Sequence, residues 1–272
     1  MRKILGQHFL INQGVHKKIV TALDVRPENT ILEIGPGTGL LTKHLVETGA
    51  KIIAVEKDLE LVDRLRSEFA NTPNLEIVSA DIRSFKPENC KLSAGGGSAF
   101  GGKIENYKVV GNIPYYLSSH LLRIIFERWP TPSLMVVMLQ KEVAQKIVAR
   151  PPKMSLLSAM VQFYAEPKII ANVSRNSFNP PPEVDSAILK LVPHSKYNTS
   201  ESVRKNFFKV LTFGFSQKRR QLGRNIADVM HIDRKIIDEK LIQAGIDPNT
   251  RPETLTIEQW LACSRLLTSS NT

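Results

Sequence analysis

The sequence TILEIGPGTG at residues 30–39 decides the fold. Thr30–Ile34 is an apolar, partly β-branched run that predicts a buried strand, and helical periodicity begins at Leu40. The three glycines between them let a backbone turn sharply and approach a ligand closely, as in dinucleotide sites. The stretch therefore predicts the first strand, loop and helix of a nucleotide-binding α/β unit.

The same alternation of strands and helices continues along the chain. Strands are predicted at 30–34, 51–55, 75–79, 108–111 and 134–139, and helices at 40–48, 59–70, 118–128 and 142–149. Two further apolar runs, 168–173 and 186–192, flank a proline-rich stretch and predict a hairpin-like pair of strands. We expect a doubly wound, mostly parallel α/β sheet of about seven strands.

Past Val192 the pattern changes, because a polar connection leads into purely helical periodicity. We predict a catalytic domain at residues 1–199 and a small all-α domain at residues 200–272. Residues 90–103 are crowded with glycine and predict a mobile surface loop, the alternative being a phosphate-binding loop.

Composition excludes several classes of protein. The 272 residues are 42% hydrophobic, which is enough for a sizeable core. The longest apolar run, Leu134–Leu139, is far shorter than the roughly 20 residues of a membrane-spanning helix. Polar residues interrupt the N-terminus where a signal peptide needs an apolar stretch, so we expect a cytoplasmic protein with no membrane partner. The two cysteines and six histidines show no ligand spacing, so we expect no metal.

The formal charge of +11 favours a nucleic-acid partner and is concentrated in two tracts. Residues 1–20 carry four basic side chains and no acidic one, and residues 200–225 carry seven basic side chains against Glu201 alone. The second tract supplies the RNA-binding candidates Lys218, Arg219, Arg220 and Arg224. If the fold brings both tracts to one side, they form one RNA-facing surface. No heptad or apolar stripe indicates an oligomer, so we expect a monomer.

Acidic residues follow three successive predicted strands. The G-x-G-x-G spacing of Gly35, Gly37 and Gly39, with Glu33 before it, favours S-adenosylmethionine over NAD or FAD, the alternative being an ordinary glycine-rich turn. Glu56 ends the second strand and can accept the ribose hydroxyl protons. Asp81 follows the third strand and can accept a hydrogen bond from the adenine amine.

The fourth strand ends in GNIPYY, residues 111–116. The Asn112 amide oxygen and the Ile113 carbonyl before Pro114 can accept both protons of an exocyclic purine amine, so that its lone pair points at a methyl sulfonium. Tyr115 and Phe178 can stack on the two faces of an extracted base. The alternatives are an Asn-capped turn at Asn112 and a core position for Phe178.

These motifs together resemble the bacterial KsgA-type ribosomal RNA adenine dimethyltransferases, a family related to the Erm methyltransferases. The resemblance covers essentially the whole chain. It rests on residues 6–10, 33–39, 56, 81, 112–115, 139–142 and 178–186.

The resemblance implies that the N-terminal segment, residues 1–20, closes over S-adenosylmethionine. Gln7, His8 and Leu10 then line the cofactor site, with His8 standing where relatives often have Asn. Ile82 flanks the cofactor adenine. The implied cofactor set is completed by Glu33, Gly35, Gly37, Gly39, Glu56, Asp81 and Asn112, and the implied catalytic set is Asn112, Ile113, Pro114, Tyr115 and Phe178.

The implied reaction transfers four methyl groups and releases S-adenosyl-L-homocysteine. It gives N6,N6-dimethyladenosine at two adjacent adenosines in the 3′-terminal hairpin of 16S rRNA in the small ribosomal subunit. Three alternatives stay open: an Erm-type 23S rRNA methyltransferase, a small-subunit assembly factor, and an N6-adenine DNA methyltransferase. The runs PPPEVDS at 180–186 and FSQKRRQL at 215–222 favour the KsgA type over Erm.

Overall fold

The structure is a computed structural model that describes residues 8–87, 106–114, 117–217 and 219–268. The chain divides into two compact units. The first contains the residues up to Ala144 together with Glu166–Pro193, and the second contains Gln145–Ala165 and the residues from His194 onward. The predicted loop at 90–103 lies outside the described residues.

The described helices and strands follow one another along the chain as follows. The order up to residue 148 is β1 (Phe9–Leu10), α1 (Gln13–Leu23), β2 (Thr30–Ile34), α2 (Leu40–Val46), β3 (Lys51–Glu56), α3 (Leu59–Glu68), β4 (Leu75–Ser79), β5 (Tyr107–Asn112), α4 (Ser118–Arg128), β6 (Leu134–Gln140) and α5 (Lys141–Val148). It continues with α6 (Leu156–Tyr164), β7 (Ala165–Val173), β8 (Phe178–Asn179), β9 (Ser186–Pro193), α7 (Glu201–Gly214), α8 (Leu222–Met230), α9 (Arg234–Gln243) and α10 (Ile257–Thr268).

The main sheet has seven strands in the order β4-β3-β2-β5-β6-β9-β7. The pairs β4/β3, β3/β2, β2/β5 and β5/β6 are parallel, and β6/β9 is antiparallel. The strand order reverses between β2 and β5, and ligands of doubly wound sheets bind in the crevice beyond such a switch point. The expected doubly wound, mostly parallel seven-stranded fold is confirmed.

Close packing of β2 against β5 positions the segments that leave their carboxyl ends. Ile34 is paired with Gly111, and a Cβ atom on Gly111 would lie 2.5 Å from the Ile34 carbonyl oxygen. Only glycine permits this approach, because the obstructing atom belongs to the backbone. The loop after β2 and the loop after β5 therefore leave the sheet side by side.

The sequence patterns missed four elements of the structure. Helix α1 begins at Gln13, and the side chain of Asn12 before it caps the helix by accepting a hydrogen bond from the Val15 amide. Helix α6 is capped by Ser155 and Ser158, which form a capping box, but its sequence LLSAMVQFY is too uniformly apolar to show a helical period. Strands β1 and β8 pair antiparallel over only two residues each, which is too short for an alternating pattern.

The second unit is built around its own apolar core. Trp260 and Phe207 are fully buried there, among side chains from α6 to α10. Residues 145–165 pack in this unit although they precede β7 and β9 in sequence. The functional division at residue 200 stays a prediction. Within the described ranges, no helix is long and apolar enough to cross a membrane.

Candidate active site

The loop after β2 is shaped by three glycines in left-handed backbone conformations. Gly35, Gly37 and Gly39 have φ values of +64°, +59° and +79°. The Gly35 amide donates to the Val55 carbonyl at 3.0 Å, which ties the loop to β3. A Cβ atom built on Gly35 meets nothing within 4 Å, so this part of the loop faces open space at the switch point.

Glu56 ends β3 with its carboxylate held against the same loop. One carboxylate oxygen, Oε2, accepts a hydrogen bond from the Gly37 amide at 3.2 Å. The other, Oε1, accepts from the amides of Lys57 at 2.8 Å and Asp58 at 3.0 Å. A carboxylate has about four acceptor positions, so one position on Oε2 is left for a ligand hydroxyl.

Asp81 follows β4, and two cations surround its carboxylate. Arg83 binds it through Nε at 3.0 Å to Oδ1 and through Nη2 at 2.6 Å to Oδ2, and Lys57 Nζ lies 3.1 Å from Oδ2. The hydrogen bonds from Arg83 hold the pKa of Asp81 well below its usual range, and Lys57 adds to the effect. An adenine amine must displace one of these donors to reach the carboxylate. The neighbouring Ile82 is buried.

Asn112 is the last residue of β5 and is partly buried. Its side-chain Nδ2 donates to the His8 carbonyl at 3.1 Å. Among the described residues, none donates a hydrogen bond to its Oδ1. Ile113 is buried with its amide bonded to the Met138 carbonyl, and Pro114 is exposed. Tyr115 lies outside the described residues.

The described part of the N-terminal segment, from His8 onward, is docked beside Asn112. In the β1/β8 pair, Phe9 lies opposite Asn179 and Leu10 lies opposite Phe178. His8 Nδ1 donates to the Pro180 carbonyl at 2.8 Å, and Leu10 is buried. The structure therefore brings His8 and Asn112 together. Gln7 is outside the described residues.

Phe178 is 2% exposed and packs in the core of the first unit, alongside Leu10 and Val173. A base can stack on this ring only after the side chains that cover it move. The placement in the core corresponds to the alternative interpretation of Phe178, and its stacking role stays a prediction.

Glu33 lies in β2, two residues before the first glycine of the loop, and is 1% exposed. Its Oε2 accepts a hydrogen bond from Thr42 Oγ1 in α2 at 2.7 Å. Burial raises the pKa of Glu33 from 4.5 to about 7, with the Thr42 hydrogen bond opposing and the Glu56 carboxylate adding to the rise. In this conformation the Glu33 side chain is buried and bonded to α2, and its role toward the cofactor stays a prediction.

The RNA-binding candidates lie in the second unit. Arg219, Arg220 and Arg224 are exposed, and Lys218 lies outside the described residues. Arg220 is paired with Asp228, with Nη1 and Oδ2 2.6 Å apart. The positive charges of Arg219 and Arg224 are therefore less neutralised than that of Arg220.

Sequence reasoning missed the side chains that hold these site residues. Lys57 and Arg83 bind Asp81, Thr42 binds Glu33, and the Pro180 carbonyl holds His8. Arg83 lies two residues from Asp81, a spacing that allows an ion pair, but nothing in the sequence distinguishes it from an ordinary surface arginine. In the described part of the chain, no cluster of three or more His, Cys, Asp or Glu side chains forms a metal site.

The whole arrangement matches a known family. The family model for ribosomal RNA adenine dimethylase matches residues 1–269. The chain belongs to this family. It is therefore a ribosomal RNA adenine dimethyltransferase that takes its methyl groups from S-adenosylmethionine.

Curated and solved relatives of this dimethyltransferase agree with the family. The ribosomal RNA small subunit methyltransferase A of Dehalococcoides mccartyi is 41% identical over 259 residues, which cover 95% of this chain and 86% of the relative. The protein of the same name from Moorella thermoacetica is 36% identical over 269 residues, which cover 98% of this chain and 92% of the relative.

Two solved structures share the fold of the dimethyltransferase. A dimethyladenosine transferase from Plasmodium falciparum has a TM-score of 0.77 at 25% identity, covering 94% of this chain and 96% of its own. The 23S rRNA methyltransferase ErmE has a TM-score of 0.72 at 25% identity, and the match covers 95% of this chain and 99% of the ErmE chain.

The site fits S-adenosylmethionine on the structure's own terms. Open space lies beside Gly35, where a Cβ would meet nothing within 4 Å. Glu56 keeps one acceptor position for a ribose hydroxyl, since three backbone amides use the others. Asp81 and Asn112 complete a row of polar side chains at the carboxyl ends of adjacent strands.

Proposed function

We propose that this chain dimethylates N6 of two adjacent adenosines in the 3′-terminal hairpin of 16S rRNA, in the small ribosomal subunit, in the cytoplasm and as part of subunit biogenesis. The names of the relatives that are 41% and 36% identical over nearly the whole chain support the small-subunit substrate. The similarity to ErmE, at 25% identity, supports a shared catalytic layout. Because this identity is lower, it supports the large-subunit alternative less strongly than the other relatives support the small-subunit substrate.

The cofactor lies, in this proposal, over the loop after β2. Gly35, Gly37 and Gly39 allow its close approach, with Glu56 on the ribose and Asp81 on the adenine amine. Ile82 flanks the adenine, Glu33 belongs to the cofactor site, and Gln7, His8 and Leu10 cover the site from the N-terminal segment. When bound, S-adenosylmethionine supplies a methyl group on a positively charged sulfur.

Asn112 and Ile113 prepare the target amine. The lone pair of N6 is delocalised into the purine ring, so the amine is a poor nucleophile. Hydrogen bonds from its two N–H groups to Asn112 Oδ1 and the Ile113 carbonyl favour a tetrahedral nitrogen whose lone pair points at the methyl group. With the cofactor bound, N6 would bond to the methyl carbon as the C–S bond broke, the electron pair of that bond would leave with S-adenosyl-L-homocysteine, and N6 would release its proton to water.

Dimethylation needs no further catalytic group. The monomethyl amine still carries one N–H for an acceptor, and its lone pair is aimed in the same way. Pro114 fixes the backbone after Ile113, and Tyr115 and Phe178 stack on the extracted base. Lys218, Arg219, Arg220 and Arg224 bind the RNA backbone.

The observation that carries the proposal is the Asn112 amide at the end of β5. Its Nδ2 is bonded to the His8 carbonyl at 3.1 Å, and Oδ1 is therefore the end that can accept from a substrate amine. The neighbouring strands β2 and β3 end at the proposed cofactor site.

Replacing Asn112 tests this role. We expect Asn112→Ala to lower turnover by at least about a hundredfold, because one acceptor that acts in the transition state is lost. Affinity for S-adenosyl-L-homocysteine should fall much less, by no more than about tenfold, because the bound cofactor loses at most one hydrogen-bonding partner. Turnover is measured as tritiated methyl transfer to unmethylated small subunits, and affinity by calorimetry. Asn172→Ala, at an exposed position of β7, is the matched control.

The acceptor of the label separates the candidate functions. Labelling of unmethylated small subunits supports the proposal, whereas labelling of large-subunit RNA or of DNA favours an alternative. Near-normal turnover of Asn112→Ala contradicts the role of Asn112. An assembly factor would keep its effect on subunit maturation in the inactive variant.

A further inference from the structure

The side-chain amide of Asn112 has two chemically different ends, and the reaction needs a particular one. Oδ1 accepts hydrogen bonds, whereas Nδ2 only donates them. An amide turned by 180° about its last side-chain bond would present its NH₂ group to the adenosine amine, which is itself a donor. The proposed catalysis therefore depends on which way this amide points.

A backbone carbonyl from the N-terminal segment determines that orientation. Asn112 Nδ2 donates to the His8 oxygen at 3.1 Å across 104 residues of sequence. In the turned orientation, Oδ1 would face the His8 oxygen at a similar distance. Two acceptors in contact repel one another, and the lost hydrogen bond would leave the partly buried His8 oxygen without this donor. The observed orientation is the favoured one only while the His8 carbonyl is present.

The His8 carbonyl is held in place from both sides of its residue. On one side, the His8 ring donates from Nδ1 to the Pro180 carbonyl at 2.8 Å. On the other, β1 pairs with β8, and the Ile11 amide donates to the Ser177 carbonyl at 2.9 Å. The segment around Phe178 thus anchors the N-terminal segment, which in turn contacts Asn112.

We propose that the backbone carbonyl of His8 is a positioning group that aims the Asn112 amide, and that the His8 ring positions this carbonyl through Pro180. The N-terminal segment is then part of the catalytic arrangement as well as a cover for the cofactor. The inference rests on the proposed role of Asn112. It has a reciprocal consequence: if docking of the segment orients Asn112, the Asn112 amide must stabilise docking by the same free energy.

Hydrogen exchange tests the reciprocal effect without any methyl transfer. In Asn112→Ala the exchange of the Ile11 amide, measured by NMR or mass spectrometry, should become about fivefold faster, as expected for one lost hydrogen bond. Asn112→Asp should speed exchange further, because a carboxylate faces the His8 oxygen. Exchange in β2 and β3 should not change, which shows that the unit stays folded. Asn172→Ala is the control.

Variants of His8 test the effect on turnover. His8→Ala removes the donor to Pro180, so kcat at saturating cofactor and RNA should fall by about tenfold. His8→Asn keeps a side-chain donor and should restore kcat to within about twofold of the wild type. A purely structural role for His8 would not predict this rescue at saturating cofactor.

The outcomes distinguish this inference from the proposed function. Unchanged Ile11 exchange in both Asn112 variants overturns the positioning role of His8, even if Asn112→Ala is inactive. A His8→Ala kcat within twofold of wild type, or a His8→Asn kcat as low as that of His8→Ala, overturns it as well. If Ile11 exchange accelerates but Asn112→Ala stays active, the coupling exists and the proposed role of Asn112 fails.

Discussion

Replacing Glu33 with Gln should stabilise the protein, and the gain should depend on pH. Glu33 is 1% exposed, and its pKa is raised from 4.5 to about 7, mainly by burial. Glutamine mimics the protonated acid in size and hydrogen bonding. It can still accept the hydrogen bond from Thr42 Oγ1 that Glu33 accepts at 2.7 Å.

The size and sign of the effect follow from proton linkage. The folded state binds the Glu33 proton more tightly than the unfolded state does, so the stability from this group is fully present below pH 4.5 and falls as pH rises toward about 7. The shift of roughly 2.5 pH units corresponds to about 3 kcal/mol. Glu33→Gln does not titrate and so does not lose this stability. Its free energy of unfolding should exceed that of the wild type by about 3 kcal/mol at pH 8 and by under about 1 kcal/mol at pH 5.

Urea unfolding of both proteins at pH 5 and pH 8 measures this difference. Glu28→Gln is the matched control, because it makes the same chemical change at an exposed position of the first unit and should give no pH-dependent gain. The reasoning is refuted if the advantage of Glu33→Gln changes by less than about 1 kcal/mol between the two pH values.

Two further predictions concern the RNA and cofactor contacts. Replacing Arg219 and Arg224 together with Ala should weaken subunit binding and reduce the salt slope of log K by about 1.5, at roughly 0.7–0.9 for each phosphate contact. Arg123→Ala, which removes a guanidinium bonded to Glu127 at 3.0 Å, serves as control, and an unchanged slope in the double variant would place the RNA surface elsewhere. Asp81→Ala should raise the Kd for S-adenosyl-L-homocysteine about tenfold or more, because a charged acceptor is lost. Since the pKa of Asp81 is depressed, the ratio of the Kd of Asp81→Ala to the Kd of the wild type, measured by calorimetry, should be the same at pH 7.5 and pH 5.5. A ratio that shrinks at pH 5.5 would show that Asp81 takes up a proton there.

The sequence predicted the parts of the site that follow strand ends. Strand β2, its glycine loop, Glu56, Asp81 and Asn112 could be found because buried parallel strands have apolar runs and their carboxyl ends meet at one edge. The fold class and the number of strands in the main sheet followed from the same pattern, whereas the order of the strands comes from the structure.

The contacts that orient these side chains were not predictable in the same way. His8 meets Pro180 across 172 residues, and β1 pairs with β8 over two residues, so neither contact has a local pattern. The sequence pattern predicts that Glu33 belongs to the cofactor site, and that role stays a prediction. It did not indicate that Glu33 is buried, which follows because parallel strands are covered on both faces. Ile34 follows it and is also buried, so the usual polar and apolar alternation is absent in β2.

Gly111 has a consequence for how enzymes on this scaffold can diversify. Because a Cβ at this position would lie 2.5 Å from the Ile34 carbonyl, the spacing of β2 and β5 is set by backbone against backbone. The separation between the loop proposed for the methyl donor and the residue proposed for its acceptor is therefore independent of the side chains around them. Under the proposed function, contacts to the RNA can therefore change elsewhere in the chain while the spacing between these two loops stays constant.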